Sequence, residues 1–403
     1  MSGPSDAPDV LVVGAGITGV STALALAQAG ARVEVLERYV PGAMASGWTL
    51  AGVRQSGRDP AELPLARHAV AIWRELDERL EAPTGYRQAG NLRLARDAGE
   101  AAIIRALVRD QRAAGLDIEL LEGDAIGRVA PALSPDIALA SWCPVDGHAD
   151  PVATLEAYRR AAERLGVRFV VGARVERLVV SGGRFRAVRH GGDAREGGAC
   201  VLAAGVYTDA LLEPLDVALP IRTAAVTVVQ SAPVAPSLVP VIGVASADLA
   251  VRQQLDGRFR FTGGAEIPHL PMHERQGRPH VPVRAASLAA VIARAAAVLP
   301  ALDDVPVARF WGGLLDMTPD ALPVVDRVPG ADGLVVAAGF SGHGFGLGPA
   351  VGSCVAALVL GRAPPVHLGA FGLGRFADGA RRGGGARREG ERGRPLAEPT
   401  LHG

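Results

Sequence analysis

The chain has 403 residues, of which 42 are basic and 42 acidic, so its formal net charge is zero, and 49% of the residues are hydrophobic. This length is sufficient for two domains, or for one large discontinuous domain, with a sizeable core. The charge balance gives no reason to expect nucleic acid or an anionic membrane as a partner. We recognise neither a signal peptide nor an apolar run long enough for a transmembrane segment, so we expect a cytoplasmic protein.

Two residue types limit the chemistry. The three cysteines, Cys143, Cys200 and Cys354, are too widely spaced to suggest a disulfide framework or a zinc site. All 42 basic residues are arginines, because the sequence contains no lysine. Genome base composition is a sufficient explanation of this bias. Its chemical consequence is that no lysine amine can form a Schiff base, contact a cofactor or bind a substrate carboxylate.

The first motif lies at the N-terminal end of the chain. The continuous apolar run at 10–13 predicts a strand buried on both faces of a parallel sheet. The pattern G-x-G-x-x-G follows at Gly14, Gly16 and Gly19, and a helix of small residues leads to a second strand that ends at Glu37. This spacing places a pyrophosphate at the helix N-terminus and a carboxylate on a ribose hydroxyl. It predicts a dinucleotide site, against the alternative of a tight turn without a ligand, and does not distinguish FAD from NAD.

The middle of the chain predicts helices and strands in alternation. Helices are expected at 60–80, 100–114, 151–165 and 287–299, and strands at 85–96 (a pair), 167–180, 185–190, 199–205 and within the β-rich segment 219–264. Asp150 precedes Pro151 at the start of the third helix, so we interpret it as an N-cap rather than as a catalytic acid.

This order of elements predicts an α/β protein with a Rossmann-like, discontinuous nucleotide-binding domain at 1–85, 150–215 and 313–376. An α+β substrate domain on a mixed or antiparallel sheet is expected in the inserted segments 86–149 and 216–312. Residues 377–403 are rich in arginine and glycine, and we predict that they are disordered. RNA binding is a weaker alternative for this tail, because acidic residues interrupt its positive charge and no aromatic residues interleave.

A second glycine-rich motif closes the domain. The stretch GLVVAAGFSGHGFGLGP, residues 333–349, predicts a strand, a glycine loop and a helix that starts near Pro349. The end of this strand should meet the same sheet edge as the first glycine loop. Backbone amides of the loop and the helix dipole would stabilise the negative charge of a reduced flavin, and glycines allow a close approach. This motif favours flavin over nicotinamide.

From residue 9 to about 376 the chain resembles the D-amino-acid-oxidase-like family of FAD-dependent oxidoreductases. The motifs that carry this resemblance are VVGAGITG followed by ER, ASG…AGVRQ, DGHADP, VLAAG, GLLDMTPDALPVVD and AAGFSGHGFGLGP. They are most similar to those of sarcosine oxidase β-type chains, opine and hydroxyproline dehydrogenases, and monomeric sarcosine oxidase. The resemblance implies bound FAD, hydride transfer from the carbon beside an amine to flavin N5, and hydrolysis of the resulting imine.

The resemblance also implies which residues bind the cofactor, although residues 48–51 depart from the usual pattern. The positions that match are Gly14, Gly16, Ile17, Thr18, Gly19, Glu37, Arg38, Ala45, Ser46, Val175, Gly205, Gly342, His343, Gly344, Phe345 and Gly346.

Three departures from the family refine the prediction. Gly313 occupies the region where monomeric sarcosine oxidases attach flavin through a cysteine, so we expect FAD to be bound non-covalently. Leu315 and Gly346 stand where relatives carry an arginine or a lysine that binds the substrate carboxylate. The oxygen-activating lysine of the family is also absent. We therefore expect another arginine to bind the carboxylate, and a dehydrogenase rather than a fast oxidase.

The candidates for catalysis are Arg54, Arg252 and His343. Either arginine offers a bidentate fork for a carboxylate, with a solvated or ion-paired arginine as the alternative. His343 would polarise the flavin or help to deprotonate the amine, with a structural histidine as the alternative. His148 is interpreted as structural and Asp320 as a turn residue.

The leading hypothesis is an FAD-dependent dehydrogenase of a secondary amine or of an amino or imino acid of the hydroxyproline, opine or sarcosine type. Electrons would pass to a quinone or to a partner subunit. The alternatives are a peroxide-producing amino-acid oxidase, and a flavin-binding subunit of a hetero-oligomeric amine dehydrogenase that is inactive alone. A disulfide reductase is disfavoured because no C-x-x-C motif is present.

Overall fold

The computed structural model describes residues 7–376. The tail at 377–403, for which disorder is predicted, lies outside the described residues. The helices are α1 (Ile17–Gln28), α2 (Ala45–Trp48), α3 (Leu63–Arg74), α4 (Leu76–Leu80), α5 (Ala98–Ala113), α6 (Asp124–Val129), α7 (Pro151–Arg164), α8 (Thr208–Leu212), α9 (Ala285–Val298) and α10 (Gly344–Val359).

The strands are β1 (Val10–Val13), β2 (Val33–Glu37), β3 (Gly52–Val53), β4 (Asn91–Ala95), β5 (Glu119–Glu122), β6 (Leu139–Cys143), β7 (Gly147–His148), β8 (Arg168–Val171), β9 (Val175–Ser181), β10 (Arg184–His190), β11 (Asp193–Glu196), β12 (Ala199–Leu202), β13 (Arg222–Pro233), β14 (Val241–Val244), β15 (Leu249–Gln253), β16 (Arg258–Gly263), β17 (His273–Arg275), β18 (Arg278–His280), β19 (Val307–Met317), β20 (Val324–Arg327) and β21 (Leu334–Ala338).

A six-stranded sheet forms the part predicted to bind a nucleotide, in the order β20-β21-β12-β1-β2-β8, with every pair parallel except β20–β21. Both of its faces are buried. Val10 and Val12 pack on one side with α1, α3, α7 and α10, whereas Leu11 and Val13 pack on the other side with β9 and β10. This double burial explains the continuous apolar run of β1 and confirms its prediction.

An eight-stranded sheet has the order β19-β13-β16-β15-β14-β4-β6-β5. Its pairs are antiparallel except β14–β4, so the expectation of a mixed sheet is confirmed. The predicted domain boundary at residue 313 falls inside β19, which pairs with β13 along its length. Among the described residues, no helix is long and apolar enough to cross a bilayer.

The helix α7 begins where the sequence pattern predicts it. Asp150 caps α7, since its carboxylate accepts hydrogen bonds from the amides of Val152 and Ala153, and Pro151 takes the first helical position. The third helix is thereby confirmed, together with the interpretation of Asp150.

Three local predictions are wrong. The helix expected at 60–80 is divided at Glu75, although its apolar repeat continues across the break, which is why periodicity did not reveal it. The strand pair expected at 85–96 contains the single strand β4. The last helix starts at Gly344 rather than near Pro349, so Pro349 lies inside it, and only the bond to the carbonyl of Phe345 is lost.

Candidate active site

A cavity of about 1660 Å³ opens at the C-terminal ends of the parallel strands. Residues that follow β1, β2, β12 and β21 line one side, and residues of the eight-stranded sheet line the other. The carboxyl edge of an open α/β sheet is where ligands bind in such folds. The prediction that β21 ends at the same edge as β1 is confirmed, because both strands are parallel to β12.

All but one of the predicted cofactor-binding residues line this cavity. The exception is Gly19, whose role is in packing: a Cβ there would lie 1.9 Å from the carbonyl oxygen of Gly14. The predicted catalytic residues Arg54 and His343 also line the cavity, whereas Arg252 does not.

The first glycine loop has the geometry of a dinucleotide cradle. Gly14 has φ of 104°, and a Cβ there would meet the carbonyl oxygen of Ala203 at 2.3 Å. The amide of Ile17 donates to Ser46 Oγ at 2.9 Å, which connects the start of α1 to the loop around α2. Such a loop admits only glycine at Gly14, and it presents a helix N-terminus to the cavity.

Glu37 lies at the end of β2, as the motif requires. Its carboxylate accepts hydrogen bonds from the amides of Ala15 (2.7 Å) and Tyr39 (2.8 Å). Burial raises the pKa of Glu37, and these hydrogen bonds oppose that shift. The neighbouring Arg38 donates to Glu274 at 3.0 Å and lies over the rings of Tyr39 and Tyr207.

The second glycine motif turns between β21 and α10. Ser341 and Gly342 have φ of 49° and 89°. Asp316 holds this turn: its Oδ2 accepts from the amide of Gly339 at 2.7 Å, and its backbone oxygen accepts from the amide of Ser341. Burial raises the pKa of the Asp316 carboxyl to about 6. The amides of the first turn of α10 lie at this edge of the cavity, where a helix dipole stabilises negative charge.

Close packing against other protein atoms is a second reason for the glycines that follow His343. A Cβ at Gly344 would lie 2.9 Å from Phe340 Cβ, and one at Gly346 would lie 2.7 Å from the Gly52 carbonyl. A Cβ at Gly348 would lie 2.4 Å from the side chain of Ile17 in α1. Protein atoms occupy the space beside these glycines, whereas a Cβ at Gly342 would make only an ordinary contact with Leu315 at 3.7 Å. Glycine density here therefore reflects helix packing as well as access to the cavity.

A buried cluster of charged groups lies beside His343. It comprises three arginines, two acids and the histidine: Arg54, Arg58, Arg93, Glu62, Asp146 and His343. With both carboxylates ionised, three guanidinium groups leave a formal excess of one positive charge on the cluster, since His343 is neutral: burial, the largest influence, lowers its pKa to about 4. Burial also raises the pKa of Asp146, and its hydrogen bonds with Ser56 and Gln55 oppose that shift.

Within the cluster, most groups are paired. Asp146 accepts hydrogen bonds from the amides of Gln55 (2.8 Å) and Ser56 (3.2 Å) and from the Ser56 hydroxyl. Arg58 Nη1 lies 3.6 Å from Glu62 Oε2, and His343 Nδ1 lies 3.4 Å from Glu62 Oε1.

Arg54 differs from its neighbours. Its side chain is half-buried, lines the cavity and forms no hydrogen bond or ion pair with any other described residue. Burial lowers the pKa of Arg54 to about 9, and repulsion by the cations of Arg58 and Arg93 is the next largest cause. Arg54 therefore carries a positive charge at neutral pH. A cationic fork in this state is suited to a carboxylate.

Arg252 lies outside the lining of the cavity. Its Nη1 lies 2.9 Å from Nδ1 of His148, and it is paired in register with Arg260 on β16. Burial lowers the pKa of His148 to about 3, so the neutral ring accepts this hydrogen bond. His148 thus contacts Arg252 rather than the cavity.

Sequence reasoning did not find Arg58, Glu62, Arg93 or Asp146. For Arg93 there was a signal, because it stands between Leu92 and Leu94 in a short buried strand, where a charge needs a reason. The others come together only through the tertiary fold.

Comparison with known proteins identifies the family. Residues 9–358 match the family model described as DAO, FAD dependent oxidoreductase. The chain belongs to this family. The predicted resemblance, the cofactor FAD and an oxidoreductase activity are thereby confirmed.

Relatives of this DAO-family chain share most of its length. It is 28% identical to sarcosine oxidase subunit beta of Rhizobium meliloti (strain 1021), across 92% of the chain and 89% of that protein. It is 27% identical to a D-amino acid dehydrogenase of Cereibacter sphaeroides (strain ATCC 17029 / ATH 2.4.9), across 93% of the chain and 96% of that protein.

Solved structures agree on the fold of this DAO-family chain. L-proline dehydrogenase from P. horikoshii superposes with a TM-score of 0.83 at 25% identity, covering 93% of the chain and 98% of that structure. Glycine oxidase from Geobacillus kaustophilus superposes with a TM-score of 0.84 at 22% identity, covering 91% of the chain and 98% of that structure. The prediction of a Rossmann-like domain with a substrate domain is confirmed. The cradle at Gly14, the Glu37 carboxylate and the amides of α10 fit FAD at the positions predicted to hold it.

Proposed function

We propose that the chain oxidises the C–N bond of a secondary amine or of an amino or imino acid that carries one carboxylate. The observation that carries this proposal is Arg54, an unpaired guanidinium in a cavity lined by the FAD motifs. Because the surrounding cluster has one excess positive charge, one carboxylate neutralises it. Monocarboxylates of the hydroxyproline or sarcosine type therefore fit better than opines, which carry more than one.

Bound FAD supplies a two-electron acceptor for the hydride that leaves the carbon beside the amine. Arg54 holds the substrate carboxylate and so orients the amine. The amine must be neutral when the hydride leaves, and the cations of Arg58 and Arg93 favour its neutral form by like-charge repulsion. His343 lines the cavity, and its Nε2 is buried without a hydrogen-bond partner among the described residues, so we assign this nitrogen the role of an acceptor for a bound group. Water then hydrolyses the imine.

We further propose that FAD is bound non-covalently and that a quinone or a partner subunit takes the electrons. The absence of lysine supports slow reaction with oxygen. A relative named as a subunit supports a second candidate, a flavin-binding chain that requires partners for activity. A cytoplasmic location stays a prediction.

Anaerobic titration of the FAD-loaded protein with D- and L-proline, hydroxyproline, opines and sarcosine tests the proposal. Bleaching of the flavin band by a monocarboxylate amine is the expected result, and slow return of the band in air would indicate a dehydrogenase. Fast return would indicate an oxidase. A yellow protein that resists every compound would favour the partner-dependent subunit. A protein that binds no FAD would contradict the whole assignment.

A further inference from the structure

The hydrogen bond between Glu62 and His343 has a defined direction. Both side chains are buried, with 0% and 1% of their surface exposed. Glu62 Oε1 lies 3.4 Å from His343 Nδ1, while its Oε2 lies 3.6 Å from Arg58 Nη1. Arg58 itself is 1% exposed, so this ion pair is enclosed and favours the ionised carboxylate.

An ionised carboxylate only accepts hydrogen bonds. The proton between Glu62 and His343 must therefore lie on Nδ1 of the ring. A neutral imidazole with a proton on Nδ1 has a lone pair on Nε2, and Nε2 of His343 is buried without a hydrogen-bond partner among the described residues. His343 lines the cavity, so a group bound there can supply the missing partner.

We propose that Glu62 is a positioning residue that fixes the tautomer of His343, so that Nε2 accepts a hydrogen bond from an N–H group bound in the cavity. Two bound molecules carry such a group, the substrate amine and the isoalloxazine ring. The inference about the tautomer is independent of the proposed function, whereas the choice of the substrate amine rests on it.

Glu62→Gln tests the inference sharply because Arg58 orients the new amide. Arg58 only donates, so it takes the amide oxygen, and the amide NH₂ then faces Nδ1 of His343. The ring must move its proton to Nε2, which changes Nε2 from an acceptor into a donor. Glu75→Gln is the matched control: it makes the same chemical change just beyond α3, on an exposed side chain paired with Arg79.

The readout is the ¹⁵N NMR spectrum of the FAD-loaded protein labelled at histidine, with the His343 signals assigned by their loss in His343→Asn. We expect a protonated Nδ1 and a bare Nε2 in the natural protein and in Glu75→Gln, and the reverse in Glu62→Gln. A proton on Nε2 in the natural protein overturns the proposal, even if Glu62→Gln fails to fold. An unchanged pattern in a folded Glu62→Gln overturns it equally.

Two binding measurements identify the donor. If the isoalloxazine ring donates, Glu62→Gln weakens FAD binding by about 10-fold and shifts the flavin midpoint potential without substrate. If the substrate amine donates, FAD binding is unchanged, and the Kd of an amine that bleaches the natural protein rises by about 10-fold. A switched tautomer with both constants unchanged would refute the role of Nε2. If no amine bleaches the flavin, the proposed function fails while the NMR and FAD results still decide the inference.

Discussion

Arg54 is the residue on which the substrate assignment depends most directly. Arg54→Met keeps much of the side-chain volume and removes the fork, so KM for a carboxylate substrate should rise by about 10- to 100-fold, the effect of losing a charged hydrogen bond. Because Arg54 contacts the carboxylate both before and during hydride transfer, kcat should change less than KM. Steady-state kinetics with an artificial electron acceptor measures both constants.

The matched comparison is Arg54→Lys, which retains the charge but not the bidentate geometry. Its KM should lie between those of the natural protein and Arg54→Met. An amine that lacks a carboxylate should be nearly indifferent to both changes. Equal losses with and without a substrate carboxylate would show that Arg54 does not bind it.

Asp316 provides a prediction about pH at the same scale. Burial raises its pKa in the folded protein to about 6, above the value of about 3.9 for an unfolded chain. The folded state therefore binds the proton more tightly, and its stability falls as pH rises through that window. Relative to Asp316→Asn, the natural protein should lose about 2 kcal/mol of unfolding free energy between pH 4 and pH 7. Urea unfolding at both pH values measures this loss, and a constant difference would refute it.

At the scale of elements, the packing of α10 on α1 depends on a missing side chain. A Cβ at Gly352 would lie 2.4 Å from Ser21 Oγ and 2.7 Å from its carbonyl carbon, so the backbones must separate. Gly352→Ala should destabilise the protein by about 1–3 kcal/mol. Gly127→Ala is the control, because Gly127 lies in α6 with open space around it, and this change should stabilise by up to about 1 kcal/mol.

The denaturant midpoints of both variants, compared with that of the natural protein, measure these stability changes. Equal effects of the two substitutions would mean that helix propensity alone governs Gly352. FAD affinity should also fall in Gly352→Ala, since α1 starts at the first glycine loop.

Elements with local signals could be predicted, and contacts between distant segments could not. Gly14 needs a positive φ for a turn within its own motif, and Asp150 caps a helix that follows directly, so neighbouring residues were sufficient. The start of α10 was misplaced because Pro349 is tolerated inside it. Glu62 and His343 are 281 residues apart, and no periodicity records such a contact.

At the scale of the whole molecule, the cavity lies between strands of both sheets, and its lining includes Gly14 on one side and Thr262 on the other. A ligand that fills this cavity contacts both halves and stabilises only the folded chain. FAD at 100 times its Kd should add about 2.7 kcal/mol to the free energy of unfolding, which corresponds to a rise of roughly 4 °C in Tm.

Melting curves of the FAD-depleted protein across a series of FAD concentrations measure this rise, which should continue logarithmically with concentration because binding is non-covalent. FMN is the informative control, since it has the isoalloxazine but lacks the adenosine that the Gly14 loop and Glu37 are predicted to hold. FMN should therefore stabilise much less than FAD at equal concentration. Equal stabilisation by both would mean that the first glycine motif, despite its geometry, contributes little to cofactor binding, and the affinity would then have to come from the loop at Gly342 and from α10.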